Sequence, residues 1–398
     1  AREDVPDEVA MAYGRKLSFG RDYIIPAPFD PRLIHTVPPA VARAGMDSGV
    51  ARRPIVDLDG YEQALKARMD PTASILQGLH ARARNAQARV IFAEGDDARV
   101  LRAAVAWQRS GLGRALVVGR DEDVKARLQA EGMADAFREL EIVNAKITQH
   151  LDVYKAFLYE RLQRHGYDQH DVHKLAARDR HVFAALMLAH GHGDALVTGA
   201  TRKAAHVLRL LNHVFDIAPG SGAVAATALI RRGRIVLVAD TLVHEWPSAE
   251  DLADIAVSAA GIARTLGLEP RVAFVSFSNF GYPVSERAEK MAEAVRVLDG
   301  RGADFEYEGE MTVDVALNTE VQKAYPFCRL TGPANVLVVP ARHSASISTK
   351  LMQEMGEATV LGPILTGVGH AVQLCSTTAT VNDVLNMAVM AAVKAGTR

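Results

Sequence analysis

The sequence predicts an α/β fold built on largely parallel sheets, and three observations carry that reading. Short β-branched runs alternate with helical stretches, which signals parallel strands covered by helices. One such run, Asp194-Ala195-Leu196-Val197-Thr198-Gly199, ends at a glycine-bearing turn, and open α/β sheets bind ligands at the carboxyl ends of their strands. Two glycine-rich joints, Ala218-Pro219-Gly220-Ser221-Gly222 and Gly362 to Gly369, enclose the middle of the chain.

Residues 1 to 67 are dense in Pro and Arg, with helical pieces such as Asp4 to Leu17. Such a tail is too short on apolar residues to bury a core alone and needs a partner surface. Beyond it come the strand Val90-Ile91-Phe92 with a helix over Ala98 to Ser110, then Ala115-Leu116-Val117-Val118-Gly119 with a helix over Glu122 to Gly132. After the strand at 194–199, the middle of the chain repeats the pattern. Arg234 to Ala239, Arg271 to Ser276 and Asn335 to Val339 read as strands, spaced by helices over Ser248 to Leu266 and Val284 to Leu298. The apolar run Val384 to Ala395 is the last helix. A single insertion bounded by two crossings gives one lobe from residues 68–219 plus 366–398 and a second from 220–365. Two crossings favour hinge motion, and clefts between lobes are where small-molecule sites are commonest.

Composition narrows the functional classes. The 398 residues suffice for two or more domains. A net charge of −1 with no long basic stripe gives no case for nucleic acid. Two cysteines, Cys328 and Cys375, show no metal-type pairing, as expected in a reducing compartment. No apolar run reaches roughly 18 residues, and the first residues do not read as a signal peptide. The expected location is the cytoplasm, with no membrane partner and no metal site.

The segment Leu374-Cys375-Ser376-Thr377-Thr378-Ala379-Thr380-Val381-Asn382-Asp383 carries the chemistry. It sets a hydroxyl, Ser376, and a carboxylate, Asp383, at the mouth of the last helix. A helix N-terminus after a glycine-bearing loop suits an anion, because free N–H groups and the helix dipole point outward there. Yet the segment supplies no positive charge. Spacing alone favours a plainer role: Thr380-Val381-Asn382-Asp383 is a capping box whose carboxylate satisfies the helix's first amides.

Other motifs are discounted. Gly220-Ser221-Gly222-Ala223-Val224-Ala225 echoes half a dinucleotide fingerprint, but no strand closely precedes it and no acidic residue follows at the required distance, so it reads as a joint. His190-Gly191-His192-Gly193-Asp194 has metal-ligand residue types, but histidines at such a junction more often cap the helix. Cys375 reads as a small buried residue rather than a reactive thiol.

The 374–383 segment resembles the last catalytic motif of the phosphate acetyltransferase (phosphotransacetylase) family, roughly Ser-Arg-Gly followed at a distance by Asp. Ser376 and Asp383 match, while Thr377 stands where that motif has arginine. Further blocks resemble the family in the same order: Ala93-Glu94-Gly95-Asp96-Asp97-Ala98-Arg99, Thr198-Gly199-Ala200 through Arg209, Val275-Ser276-Phe277-Ser278, Glu308 to Asp314, Gly332-Pro333-Ala334-Asn335-Val336 and Gly362-Pro363-Ile364. The likeness runs from about residue 68 to the C-terminus. It implies a two-lobed phosphotransacetylase-like fold, each lobe a mostly parallel sheet flanked by helices, with the ligand cleft at the lobe boundary. Nearer the start, Gly20 to Leu33 and Gly49-Val50-Ala51-Arg52-Arg53-Pro54 resemble the closing segment of bacterial malic enzymes, some of which carry a phosphotransacetylase-like domain behind the oxidoreductase. The resemblance implies that NADP, a divalent metal and the malate site belong to a malic enzyme domain of the same polypeptide and not to these residues.

Acetyl transfer between coenzyme A and phosphate must deprotonate a thiol, hold a dianion and stabilise an oxyanion. The resemblance makes Asp383 the base, Ser376 the oxyanion or thiol partner, and Arg209 a phosphate ligand. It also implies that Gly199, Ser278, Asn335, Gly362 and Thr377 line the acyl-CoA or phosphate site. A second family arginine falls within Tyr159 to Arg164, where Leu162 occupies its place in an ungapped alignment; Arg161 or Arg164 compensates only if the helix rotates by part of a turn. A charged hydrogen bond contributes about 1.5–3 kcal/mol, and loss of one preorganised donor slows turnover about 10²- to 10³-fold. The expectation is therefore an acetyl-CoA-binding, catalytically silent domain that regulates an attached malic enzyme allosterically and joins subunits as a homo-dimer or larger homo-oligomer. The alternatives are an active phosphate acetyltransferase, with Arg161, Arg164 or Arg202 replacing the lost cation, and a purely structural oligomerisation module.

Overall fold

The computed structural model describes residues 71–397 apart from 218–221, 232 and 357, and before them 33–55 with isolated positions. The expected helix over Asp4 to Leu17, most of the Gly20 to Leu33 segment, the boundary near residue 68 and the joint at 218–221 lie outside the described residues. Two compact units result, one of residues 1–77 with 232–234, the other of 78–231 with 235–398. In the first, the helix Leu33–Asp47 is ended by Gly49, whose φ of 72° is open to glycine at no steric cost. The backbone N–H groups of Val50 and Ala51 return to the carbonyl of Gly45.

The second unit holds two sheets. Strands β1 (Arg89–Phe92), β2 (Arg114–Val118), β3 (Glu141–Val143), β4 (Ala195–Thr198) and, from the far end of the chain, the later strand Val372–Leu374 form a five-stranded sheet in which every pairing is parallel. Six strands form the other: β5 (Val224–Arg231), β6 (Arg234–Ala239), β7 (Arg271–Val275), β8 (Glu306–Met311), β9 (Val336–Val338) and β10 (Thr359–Thr366). The Val372–Leu374 strand is then β11. The first sheet runs β11-β4-β1-β2-β3 and the second β10-β5-β6-β9-β7-β8. The second sheet is mixed: β6, β9, β7 and β8 pair in parallel while β10 lies antiparallel to β5.

Most of the strands are apolar and buried, as helix-covered sheets require, with β8 and its three glutamates the exception. Val90, Ile91 and Phe92 are fully buried. The helices Ala98–Arg109 and Val381–Ala395 pack on one another and against β2 and β4, and the helix Arg180–Ala189 packs on β1 and β4. In the second sheet the helices Ala249–Thr265 and Glu286–Arg301 pair and cover β9, β7 and β8. Among the described residues no helix is long and apolar enough to cross a membrane.

The joint expected at Gly362 to Gly369 is in part strand. Residues up to Thr366 are strand, paired Leu365 to Ala225 and Thr366 to Val224, with a register shift at Gly362-Pro363. Gly367, at φ 74°, comes so close to Gly222 that a Cβ on it would fall 1.8 Å from the Gly222 carbonyl oxygen, so only glycine fits. The apolar core runs through this crossing, taking Ala223, Ala225 and Leu365 together with Leu196, Val372 and Leu374. Gln373 of β11 fastens it: its buried side-chain amide accepts from Leu365 N–H at 2.9 Å and donates to Leu365 C=O at 3.1 Å.

Replacing Gln373 by Leu leaves both Leu365 groups buried without partners, at about 1–3 kcal/mol each. Urea denaturation of Gln373→Leu is expected to show a loss of about 3 kcal/mol, while a change below about 0.5 kcal/mol would show that the clamp contributes nothing.

Candidate active site

The carboxyl ends of β1, β4 and β11 lie side by side, with Phe92 level with Val197 and Leu374 level with Thr198. β1 leads to β2 and β3 on one side and neighbours β4 and β11 on the other, so this is the point where strand order reverses and ligand crevices form. Three turns leave it: Ala93 to Asp97, Gly199 to Thr201, and Cys375 to Thr380. Gly199, at φ 102°, lets the second and third approach, since a Cβ there would sit 2.9 Å from the Cys375 carbonyl oxygen. Cys375 N–H closes the junction on Thr198 C=O at 2.7 Å.

Two charged side chains bind these turns together. Glu94 is 1% exposed, and its carboxylate accepts from the backbone N–H of Gly199 (3.0 Å), Ala200 (3.2 Å) and Thr201 (2.8 Å) and from the Thr201 hydroxyl (2.8 Å). A buried carboxylate is stable there because it is ringed by donors. The amides that could cradle a ligand anion at this turn are thus already occupied. Arg99 commits all five guanidinium N–H donors. Nε and Nη2 grip the Asp97 carboxylate, Nη1 reaches the carbonyls of Thr377 and Ala379, and Nη2 also reaches that of Ala200. Asp97 in turn caps the helix Ala98–Arg109, and the pairing holds its carboxyl below its ordinary range against the upward push of burial.

Ser376 precedes and Asp383 follows, along the chain, the carbonyls that Arg99 holds. The Ser376 hydroxyl is exposed and, among the described residues, meets the Thr378 hydroxyl at 2.9 Å and the Thr378 N–H at 3.3 Å. Asp383 completes the capping box, its carboxylate accepting from Thr380 N–H at 2.8 Å and from the Thr380 hydroxyl at 2.9 Å. Capping accounts for one carboxylate oxygen and leaves the other open, so the structural and chemical roles are compatible. The Cys375 thiol is buried, and burial, followed by the negative charges of Glu94 and Asp383, pushes its pKa far above the ordinary thiol value.

The cations are sparse. Thr377 is exposed and neutral, and Leu162 is packed in the apolar core at 7% exposure. Arg161 is tied to Asp216 at 2.9 Å and to the His213 carbonyl, and Arg202 is tied to Asp179 at 3.0 Å. Arg209, on the last turn of the helix Ala204–Leu211, and Arg164 are exposed, with no ion pair among the described residues. His181, buried beside Thr198 with Nδ1 2.6 Å from its hydroxyl, has its pKa lowered by burial and adds no positive charge at neutral pH.

Three expected ligand residues belong to the part of the chain that builds the second sheet. Ser278, in the segment after β7, is fully buried, and its hydroxyl donates to Glu310 at 2.9 Å. Asn335 stands at the amino end of β9, opposite the edge that follows β7, and its amide is consumed by Arg271 N–H and Glu269 C=O. Gly362 lies within the edge strand β10, where its backbone packs on Ala226 and Thr227. Conversely, Glu94 and Arg99 organise the site and were not nominated from sequence, although both stand in the Ala93 to Arg99 block. His190 caps the helix Arg180–Ala189, with Nδ1 2.8 Å from the Leu186 carbonyl. Among the described residues no group of His, Cys, Asp or Glu is placed to hold a metal.

Fold and site define a two-sheet α/β protein of the phosphotransacetylase type. The phosphate acetyl/butaryl transferase family profile matches residues 74–392, and the chain belongs to that family. A phosphotransacetylase from Streptococcus pyogenes superposes with a TM-score of 0.75 at 27% identity, covering 81% of this chain and 98% of that one. The phosphate acetyltransferase of Thermoanaerobacterium thermosaccharolyticum is 30% identical over 331 residues, 81% of this chain and 99% of its own length. An NADP-dependent malic enzyme of Rhizobium meliloti is 50% identical over all 398 residues, including those ahead of the family match, and the chain spans about half (52%) of that protein's length.

Glu94→Gln turns two N–H donors toward backbone amides that also donate. The expected loss is about 3 kcal/mol in urea unfolding, whereas unchanged stability would show that the turn does not depend on the carboxylate. Cys375 is expected to resist iodoacetamide at pH 8 in the folded protein and to react once the chain is unfolded, with mass spectrometry as the readout.

Proposed function

We propose that this chain is an acyl-CoA-binding phosphotransacetylase-like domain without acetyl transfer of its own, serving as the regulatory and oligomerising part of an NADP-dependent malic enzyme. One observation carries the reading: neither missing cation is restored in place, since position 377 is threonine and Leu162 is committed to the core, while Arg161 and Arg202 are held by Asp216 and Asp179. Phosphate, a compact dianion, depends on such groups. A coenzyme A thioester depends on them less, because its nucleotide and pantetheine spread contacts over a long surface. The similarity to an NADP-dependent malic enzyme along the whole chain supports the parent reaction, oxidative decarboxylation of malate to pyruvate, with NADP and a divalent metal bound outside this chain. Acetyl-CoA is the natural effector, lying downstream of pyruvate; it would act through unequal affinity for two arrangements of a homo-dimer or larger assembly, with a coupling of about 1–3 kcal/mol.

A second reading, retained phosphate acetyltransferase activity, is favoured by the intact Ser376 and Asp383 and by the unpaired Arg209 and Arg164. Calorimetry with acetyl-CoA and a coupled assay for acetyl phosphate separate the two. Binding without product above the level of an Asp383→Ala variant is expected; phosphate-dependent product that Asp383→Ala abolishes establishes the second reading, and absence of binding at millimolar acetyl-CoA overturns the first. Thr377→Arg is expected to tighten inorganic phosphate roughly ten- to a hundred-fold, one charged hydrogen bond being worth about 1.5–3 kcal/mol.

A further inference from the structure

A cavity of about 630 Å³ opens at the carboxyl ends of β1, β2 and β3 on the other side of the strand-order reversal. Its volume lies within the roughly 300–1,000 Å³ typical of small organic ligands and is far more than an inorganic anion fills. The Ala93 to Asp97 turn borders both places: Glu94 faces the Gly199 turn, while Asp96 lines the cavity and pairs with Arg180.

The lining has two characters. Val118 and Val124 are buried, and with Leu151 and Ala177 they give an apolar floor. Around it stand Arg120, Lys146, Arg178 and Arg180 against two carboxylates, Asp96 and Asp123. Arg120 is committed to Asp123 at 2.6 Å and Arg180 to Asp96, so those charges cancel in pairs. Lys146, on the turn after β3, and Arg178, at the end of the helix Gln169–Arg178, are exposed and have no ion-pair partner among the described residues. Asn144 also lines the cavity; its carbonyl oxygen accepts from Lys146 N–H at 3.1 Å, and no described acceptor takes its amide N–H donors. Two uncommitted cations beside an apolar floor, with an amide free to read a polar edge, suit a flat ring joined to phosphate better than either a bare anion or an uncharged ligand.

We propose that this cavity binds a nucleoside phosphate, with the base on the Val118 and Leu151 floor beside Asn144 and the phosphates held by Lys146 and Arg178. The moiety could be supplied as a free nucleotide or as the nucleotide end of a coenzyme A thioester, and the test separates the two. ADP is titrated calorimetrically into the whole chain and into Lys146→Ala/Arg178→Ala, whose exposed side chains leave folding intact as checked by an unchanged melting temperature.

Saturable ADP binding, weakened roughly 30-fold or more in the double variant, is expected. No ADP binding at millimolar concentration, binding unaffected by the double variant, or inorganic phosphate binding as tightly as ADP overturns the proposal. Displacement of ADP by acetyl-CoA but not by S-acetyl-phosphopantetheine assigns the thioester's nucleotide end, and failure of both to displace assigns a free nucleotide; each is consistent with the proposal. Acetyl-CoA binding that persists when ADP fails leaves the proposed function standing, so the two readings fail separately.

Discussion

The site depends on one saturated guanidinium. Arg99 begins in the helix after β1 and ends among carbonyls contributed by the turns after β4 and β11, so three turns distant in sequence are held by one side chain with no donor left over. Glu94 performs the complementary task with acceptors, gathering the amides of the Gly199 turn. Because an arginine donates in a fixed planar fork and a carboxylate accepts from two sides, the pair sets the spacing of the turns as well as their contact. Ser376 and Asp383 are presented to solvent by this frame and do not build it.

The frame also clarifies the charge balance. A site that grips a dianion needs cations with unspent donors, and here Arg99, Arg161 and Arg202 are spent on the protein's own carboxylates and carbonyls. Among the described residues, positive charge without an ion-pair partner lies elsewhere, at Arg209 and Arg164 and, across the reversal of strand order, at Lys146 and Arg178. The crevice along the carboxyl ends of the first sheet is therefore not uniform: the part next to Ser376 carries more carboxylates than cations, and the part beneath β2 and β3 carries an excess of base.

Much of the architecture was legible in the sequence, because alternating β-branched runs and helical stretches leave a strong periodic signal. Six strands fall where the patterns place them, within a residue or two. The five missed strands are instructive. β3 and β11 are three residues long, too short to show a period. β8 is written Glu306-Tyr307-Glu308-Gly309-Glu310-Met311, and its glutamates are tolerated because Glu308 is held by Arg329 and Glu310 by Ser278 and Gly281. β5 and β10 hide behind glycines and a proline that read as joints, since tertiary pairing overrides local turn preference there. At the site, the capping box and the missing cation could be read from spacing. The roles of Glu94 and Arg99 could not, because most of their partners are backbone groups more than a hundred residues away, and backbone groups leave no trace in composition.

Gln373 lies three residues before Ser376, and its side chain imitates a strand neighbour to Leu365. Its amide joins the sheet that bears the Ser376 loop to the sheet that does not. The strand that leads into the Cys375 to Thr380 loop and the edge strand of the other sheet thus share one buried pair of hydrogen bonds, and β11 cannot slide along its axis without breaking both.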